Sequence, residues 1–178
     1  MALDLSIKAE PFLARKTYAQ AAFPTPDHDH ERCTADALAH AEAQCAKRSQ
    51  RLTPIRRQVL EVLLASHNPL GAYDIIERVA AAGARPAPIT IYRALDFLRE
   101  NGLVHRIESR NAFVACVNNH ADGALVVFLI CEHCGAVGEA ASAAVAEQLK
   151  SAARAAGFTP KAPVIEIGGV CAHCRQTA

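Results

Sequence analysis

The stretch Ile89-Thr-Ile-Tyr-Arg-Ala-Leu-Asp-Phe-Leu-Arg-Glu-Asn-Gly-Leu-Val-His-Arg-Ile-Glu-Ser-Arg-Asn-Ala-Phe-Val-Ala-Cys116 changes its hydrophobic period midway, and that change decides the fold. Ile91, Leu95 and Leu98 recur at helical spacing, so a helix is expected from about Ile89 to Glu100. Asn101-Gly102 ends it, because glycine takes the left-handed conformation that closes a helix without steric cost. Leu103–Glu108 and Ala112–Cys116 then read as two strands around a Ser109-Arg-Asn111 turn, a β-hairpin.

Upstream, Thr53 and Pro54 form a strong helix start, with proline at the first helical position. Ile55, Val59, Val62 and Leu63 supply the inward stripe of that helix. After a turn at Asn68-Pro-Leu-Gly71, a second helix is expected from Ala72 to about Ala82, with Ile75, Ile76 and Val79 inward; Gly83 and Pro86 break it. Three short helices followed by a hairpin describe a winged helix-turn-helix. Thr34 is the expected cap of a preceding helix carrying Leu38, Ala41 and Cys45 on one face and ending in Lys47-Arg48. Residues 1–33 show no sustained periodicity and are read as a flexible extension, with His28, His30 and Cys33 part of a polar tail. The N-terminus has no basic segment leading into an apolar core, so no secretory signal is expected.

Downstream, Leu125–Ile130 is a continuously apolar strand, which implies burial on both faces. Gly135-Ala-Val137 begins a second strand, Ser142 caps a helix with Val145, Leu149, Ala152 and Ala156 on one face, and Pro163–Ile167 is a third strand. One helix is poor cover for these strands, so a dimer is expected. The longest apolar run, Ala124–Ile130, is too short to span a bilayer.

Cys131-Glu-His-Cys134 and Cys171-Ala-His-Cys174 are two CxxC pairs separated by 36 residues. Two such knuckles supply the S₄ cage that structural Zn²⁺ prefers. The gap exceeds that of a simple ribbon, so a small folded unit must bring the pairs together. Seven cysteines, an odd number with paired spacing, fit metal-bound thiolates in a reducing cytoplasm better than a disulfide framework.

The net charge of +1 conceals an asymmetry. Residues 46–110 hold eleven basic and six acidic side chains, while residues 1–45 hold four and seven. A charge excess alone describes any solvated face, but here it coincides with the helix-turn-helix. In that motif the N-terminal residues of the last helix meet base edges in the major groove. Arg93 can contact guanine bidentately, and Tyr92 and Thr90 can reach phosphate or a thymine methyl. Tyr73 can reach a backbone phosphate, Arg56 and Arg57 add charge nearby, and Arg106 and Arg110 on the wing are expected phosphate contacts.

With these residues in place, the chain resembles the ferric uptake regulator family, and within it the zinc-uptake-repressor branch. The strings that carry the resemblance are Arg51-Leu-Thr-Pro-Ile-Arg56, Ala72-Tyr-Asp74, Thr90–Leu98, Gly102–Ser109 and Ile130–Val137, within a span from about Arg48 to Cys174. The resemblance implies an α+β protein: a winged helix-turn-helix DNA-binding domain at 34–113, after the extension at 1–33, and a small α/β dimerisation and metal-binding domain at 114–178. It implies a cytoplasmic homodimer on a palindromic operator in double-stranded DNA, with two Zn²⁺ per subunit, no membrane and no small-molecule substrate. Cys131, Cys134, Cys171 and Cys174 match its structural zinc site. Its second, exchangeable metal at the hinge would use His105, Cys116 and Glu139. The family usually adds a histidine before the first CxxC, but position 124 is alanine; His120, four residues earlier, stands in for it.

A thiolate with two imidazoles and a carboxylate suits zinc, whereas iron-sensing relatives present nitrogen and oxygen donors, so Cys116 is the discriminating residue. The expected function is a zinc-responsive repressor of zinc-uptake and zinc-homeostasis genes. Its rivals are an iron- or peroxide-sensing repressor of the same family, a zinc enzyme, and a thiol redox switch. Against the enzyme, no side chain is placed as an evident general base and no loop is built to cradle a substrate.

Overall fold

The computed structural model describes residue 23 and residues 30–66, 68–116, 125–160 and 164–176. Four helices open the chain: α1 (His30–Lys47), α2 (Pro54–Leu64), α3 (Ala72–Ala81) and α4 (Pro88–Glu100). Strands β1 (Val104–Ile107) and β2 (Ala112–Ala115) form the antiparallel wing, joined by a single 3₁₀ turn at Glu108–Arg110. Asn111 closes that turn in the left-handed region, φ 45°, which asparagine tolerates better than most residues. Leu70 exchanges two backbone hydrogen bonds with Phe113, 2.9 and 2.8 Å, and so ties the turn before α3 to the outer edge of the wing.

In the first four helices most of the inward positions read from the sequence are buried. Ile75, Ile91 and Leu98 are fully buried, as are Val59 and Leu63 of α2 and Ala41 of α1. Leu60 and Leu64 are buried as well, while Ile55 and Val62 are only partly covered, so the inward stripe of α2 lies slightly round from the expected one. Leu63→Ala is expected to cost about 2–5 kcal/mol, because Leu63 is fully buried in the main core and its truncation leaves a cavity; chemical denaturation of the variant measures it.

The start of α1 differs from expectation. Helix α1 starts at His30, so residues 30–33 are its first turn and Thr34 lies inside it rather than capping it. Glu31 falls in that first turn, where its charge complements the helix dipole. At the other end of α1, Arg48 donates to the Glu100 carbonyl at 3.1 Å and holds the close of α4. The neighbouring Asn101 is buried and donates from Nδ2 to the Phe97 carbonyl at 2.9 Å.

The second sheet comprises β3 (Val126–Cys131), β4 (Val137–Ala141) and β5 (Ile165–Gly169), in the order β4-β3-β5. β4 runs antiparallel to β3 and β5 parallel to it. β5 lies two residues further on than Pro163–Ile167 predicts, since five rungs of pairing with β3 draw in Gly168 and Gly169. That register brings Cys171 alongside Cys131. Between β4 and β5 runs α5 (Ala143–Ala155), whose Ser142 hydroxyl accepts from the Val145 N–H at 3.3 Å. The last element is α6 (Ala172–Gln176).

The core here is small: Ile107, Val114, Phe128, Ile130 and Val137, with Val126 against them. Two of these, Ile107 and Val114, belong to the wing, so the two sheets share one apolar seam. No α5 side chain is buried, and Val145, Leu149, Phe158, Val164, Ile167 and Val170 stay exposed in the single chain. Among the described residues, no helix is long and apolar enough to cross a membrane.

Candidate metal centres and nucleic-acid face

Two groups of ligand-type side chains converge among the described residues. The first joins Cys131, Cys134, Cys171 and Cys174, whose sulfur atoms all lie within 4.8 Å of one another. Cys131 closes β3, the turn 132–134 delivers Cys134, and Cys171 and Cys174 flank the start of α6. Gly135 closes the first knuckle with φ +79°, and a side chain there would meet Asn68 and Arg110. The Cys171 N–H points at the Cys131 sulfur and the Cys174 N–H at the Cys171 sulfur, each at 3.4 Å. Backbone donors aimed at sulfur stabilise thiolates.

Two of these thiols are pulled in opposite directions, a conflict. Backbone N–H groups of Cys134 and Cys171 draw the Cys131 thiol down to about 6, while hydrogen bonding to Cys171 and burial push Cys174 up to about 12. A divalent ion removes that conflict by neutralising the thiolates it binds. The Cys134–Cys171 sulfur separation is 3.9 Å. A zinc–sulfur bond of about 2.3 Å puts tetrahedral sulfurs about 3.8 Å apart, so the cage fits zinc.

The second group is His105, Cys116 and Glu139, again within 4.8 Å of one another. His105 lies on β1, opposite Val114 of β2. Cys116 follows β2, its N–H bonded to the Leu103 carbonyl at 2.9 Å. Glu139 sits on β4 opposite Phe128 and is buried, 7% exposed. One Glu139 oxygen lies 3.6 Å from His105 Nε2 and the other 3.8 Å from the Cys116 sulfur. Tetrahedral zinc geometry asks for about 3.3 Å between nitrogen and oxygen and about 3.6 Å between sulfur and oxygen. The donor set therefore surrounds a point that a small divalent ion can occupy, with ligands drawn from both the wing and the second sheet. His120, the fourth expected ligand, lies outside the described residues.

The expected DNA-contacting residues lie on α2, α3 and α4. Tyr73 stands in the first turn of α3, 70% exposed, and Tyr92 and Arg93 project from the first half of α4. Ile89, at the second position of α4, is also exposed, and Thr90 is partly covered. Neither tyrosine belongs to the core. Arg56 stacks its guanidinium 3.5 Å over the Phe97 ring and donates to the Arg51 carbonyl at 2.7 Å. Arg57 pairs with Glu61 at 2.9 Å and also with Glu42. Both α2 arginines are thus engaged within the chain. The wing arginines also have partners within the chain: Arg106 bonds Asn111 and Glu108, and Arg110 donates to the carbonyls of Gly135 and Cys131.

The sequence profile of the ferric uptake regulator family matches residues 47–167, two thirds of the chain. This chain belongs to the ferric uptake regulator family. As a member of it, the chain is 39% identical over 141 residues to the zinc uptake regulation protein of Escherichia coli (strain K12), covering 79% of this chain and 82% of that one. It is 32% identical over 131 residues to the peroxide operon regulator of Bacillus subtilis (strain 168), covering 71% and 85%. Its fold is similar to a zinc uptake regulator complexed with zinc and DNA, with TM-score 0.76, 38% identity and coverage of 81% and 96%. Holo XcZur is similar too, with TM-score 0.71, 42% identity and coverage of 80% and 99%.

Two residues of this family member escaped sequence reasoning. Phe128 packs against the His105 ring, centroids 5.1 Å apart, and Glu166 accepts hydrogen bonds from the wing turn. Only Glu166 left a trace in the sequence, as the one charged residue in the apolar run Val164–Ile167.

Proposed function

We propose that this chain is a zinc-responsive, DNA-binding transcriptional repressor of zinc-uptake and zinc-homeostasis genes, acting in the cytoplasm as a homodimer on a palindromic operator. The observation that carries the reading is the convergence of His105 and Cys116 from the wing with Glu139 from the second sheet. A site whose ligands come from both sides of a hinge makes metal occupancy and domain arrangement one equilibrium. The similarity to a zinc uptake regulator complexed with zinc and DNA supports it, as does the sulfur donor.

Residues 34–113, with the first turn of α1, serve as the DNA-binding unit, and 114–178 as the dimerisation and metal-binding unit. Two Zn²⁺ are bound per subunit. Cys131, Cys134, Cys171 and Cys174 hold a structural ion; His105, Cys116 and Glu139, with His120, hold the regulatory one. Bound at the hinge, the ion supplies a bond network joining wing and sheet. His105 and Cys116 then fix the angle at which α4 is presented, and the buried Glu139 offers both carboxylate oxygens. The exposed apolar face of α5 and β5 is what a second subunit would cover, placing two recognition helices on successive half-sites. The protein is read as a regulator and not an enzyme. Coupling of this kind is typically worth about 1–3 kcal/mol.

A DNA-binding titration at buffered free Zn²⁺, with Fe²⁺ and Mn²⁺ as controls, tests the reading. Operator affinity should rise with Zn²⁺ alone; an equal response to Fe²⁺ would favour the iron- or peroxide-sensing rival. Within that assay, Arg93→Ala should lose about 1–3 kcal/mol on the operator and relax the preference at one base position. Tyr73→Phe should weaken binding to all sequences evenly. Uniform loss in Arg93→Ala across operator variants would remove α4 from base readout.

A further inference from the structure

We infer that Glu166 is a positioning residue for the hinge metal: its carboxylate latches the wing turn to the second sheet and so holds His105 beside Glu139 before metal arrives. The inference rests on the zinc-sensing reading and adds what sets the metal threshold.

Three observations carry it. First, the Glu166 carboxylate is bidentate on the backbone. The Glu108 N–H donates to one oxygen at 2.6 Å and the Ser109 N–H to the other at 3.1 Å, across more than fifty residues of sequence. Charge-assisted bonds of this kind are the strong ones. Although burial raises the Glu166 pKa, hydrogen bonds from the Ser109 side chain and the two amides outweigh it, so the carboxyl sits below its ordinary range and is charged at neutral pH.

Second, the latch and the hinge site share one row of the sheet. Phe128 on β3 pairs with Glu139 on β4 and with Glu166 on β5. Laterally paired residues project from the same face. This row underlies wing residues 105–109: Glu139 and Phe128 meet His105, and Glu166 meets the turn three residues further on. A strand rises only about 3.3 Å per residue, so fixing Glu108 and Ser109 leaves His105 little freedom to swing away.

Third, the turn is held from its other side as well. Arg110 donates to the Gly135 carbonyl at 3.2 Å and approaches the Cys131 carbonyl at 3.5 Å. The wing turn therefore rests between β5 and the first cysteine knuckle, both anchored by the four-cysteine site.

The consequence is quantitative. The apparent dissociation constant of a hinge metal is the intrinsic value divided by the fraction of molecules already closed. A latch that touches neither metal nor DNA raises that fraction, and hence metal affinity, with no change in the final complex.

The test uses the full chain with its structural zinc in place. Zinc binding at the hinge is measured by chelator competition, and amide hydrogen exchange at Glu108 and Ser109 is followed with the hinge empty. Glu166→Ala should accelerate both amides and weaken hinge zinc about tenfold, equivalent to about 1.4 kcal/mol. At saturating zinc it should bind the operator as the wild type does. Glu166→Gln retains an acceptor oxygen and should fall between the two. A wild-type zinc affinity in Glu166→Ala overturns the inference. Should that variant lose its structural zinc, Glu166→Gln decides, and a wild-type hinge affinity there overturns it equally. Cys116→Ser run in parallel separates the two ideas. If it too leaves hinge zinc binding unaltered, the hinge reading itself falls; if it alone weakens binding, only the latch does.

Discussion

Cys131→Ser should unfold the C-terminal half of the molecule and abolish dimerisation, rather than merely blunt sensing. Among the described residues, the apolar cluster there joins five buried side chains and one partly buried, two of the buried ones on loan from the wing. α5 buries none of its residues and α6 has only five, so neither clamps the sheet. A unit so thinly packed needs a staple. Zinc held by the four cysteines, as proposed, would be that staple: it would tie the end of β3 to the segment following β5, and structural zinc sites contribute about 10–16 kcal/mol of apparent binding energy that is also folding energy. Cys131 is 1% exposed, so a serine hydroxyl there would also be buried and poorly solvated. The winged half, with its much larger core, should keep its helical circular dichroism. Light scattering and zinc content decide the matter: a Cys131→Ser dimer holding two zinc ions per chain would refute the structural role.

Cys116→Ser should have the second largest effect and a different character. The dimer should stay folded with its structural zinc, while the Zn²⁺ needed for operator binding rises about 100-fold or more, since losing even outer-shell partners of a metal ligand costs about 10–100-fold. A thiol near a metal deprotonates and bonds strongly, whereas a serine hydroxyl stays protonated at neutral pH. Glu139→Ala should act in the same direction but more mildly, because water can replace one carboxylate. It also opens a void beside Phe128, so thermal stability should be followed alongside. His120→Ala resolves the fourth ligand. A shift like that of Cys116→Ser assigns it; unchanged zinc and operator binding passes the position to another donor such as Asp122.

The local elements were legible because each is written in a short-range pattern. Pro54 after Thr53, the 3.6-residue spacing of Ile91, Leu95 and Leu98, and the Asn101-Gly102 stop locate helices without knowledge of what they pack against. The wing was legible from two strands around a polar turn. Where expectation slipped, a distant contact had intervened. β5 moved by two residues because its bounds follow the register with β3.

The sequence by itself determined the elements, their order and the two cysteine pairs, since helical period, turn chemistry and ligand spacing act over a few residues. The convergence of His105 and Glu139, separated by 34 positions, and the grip of Glu166 on amides 57 and 58 residues away were decided only by the tertiary structure. Strand register and the packing of two sheets determine which side chains share a face, and no local pattern encodes a register between strands that meet only after the chain has folded.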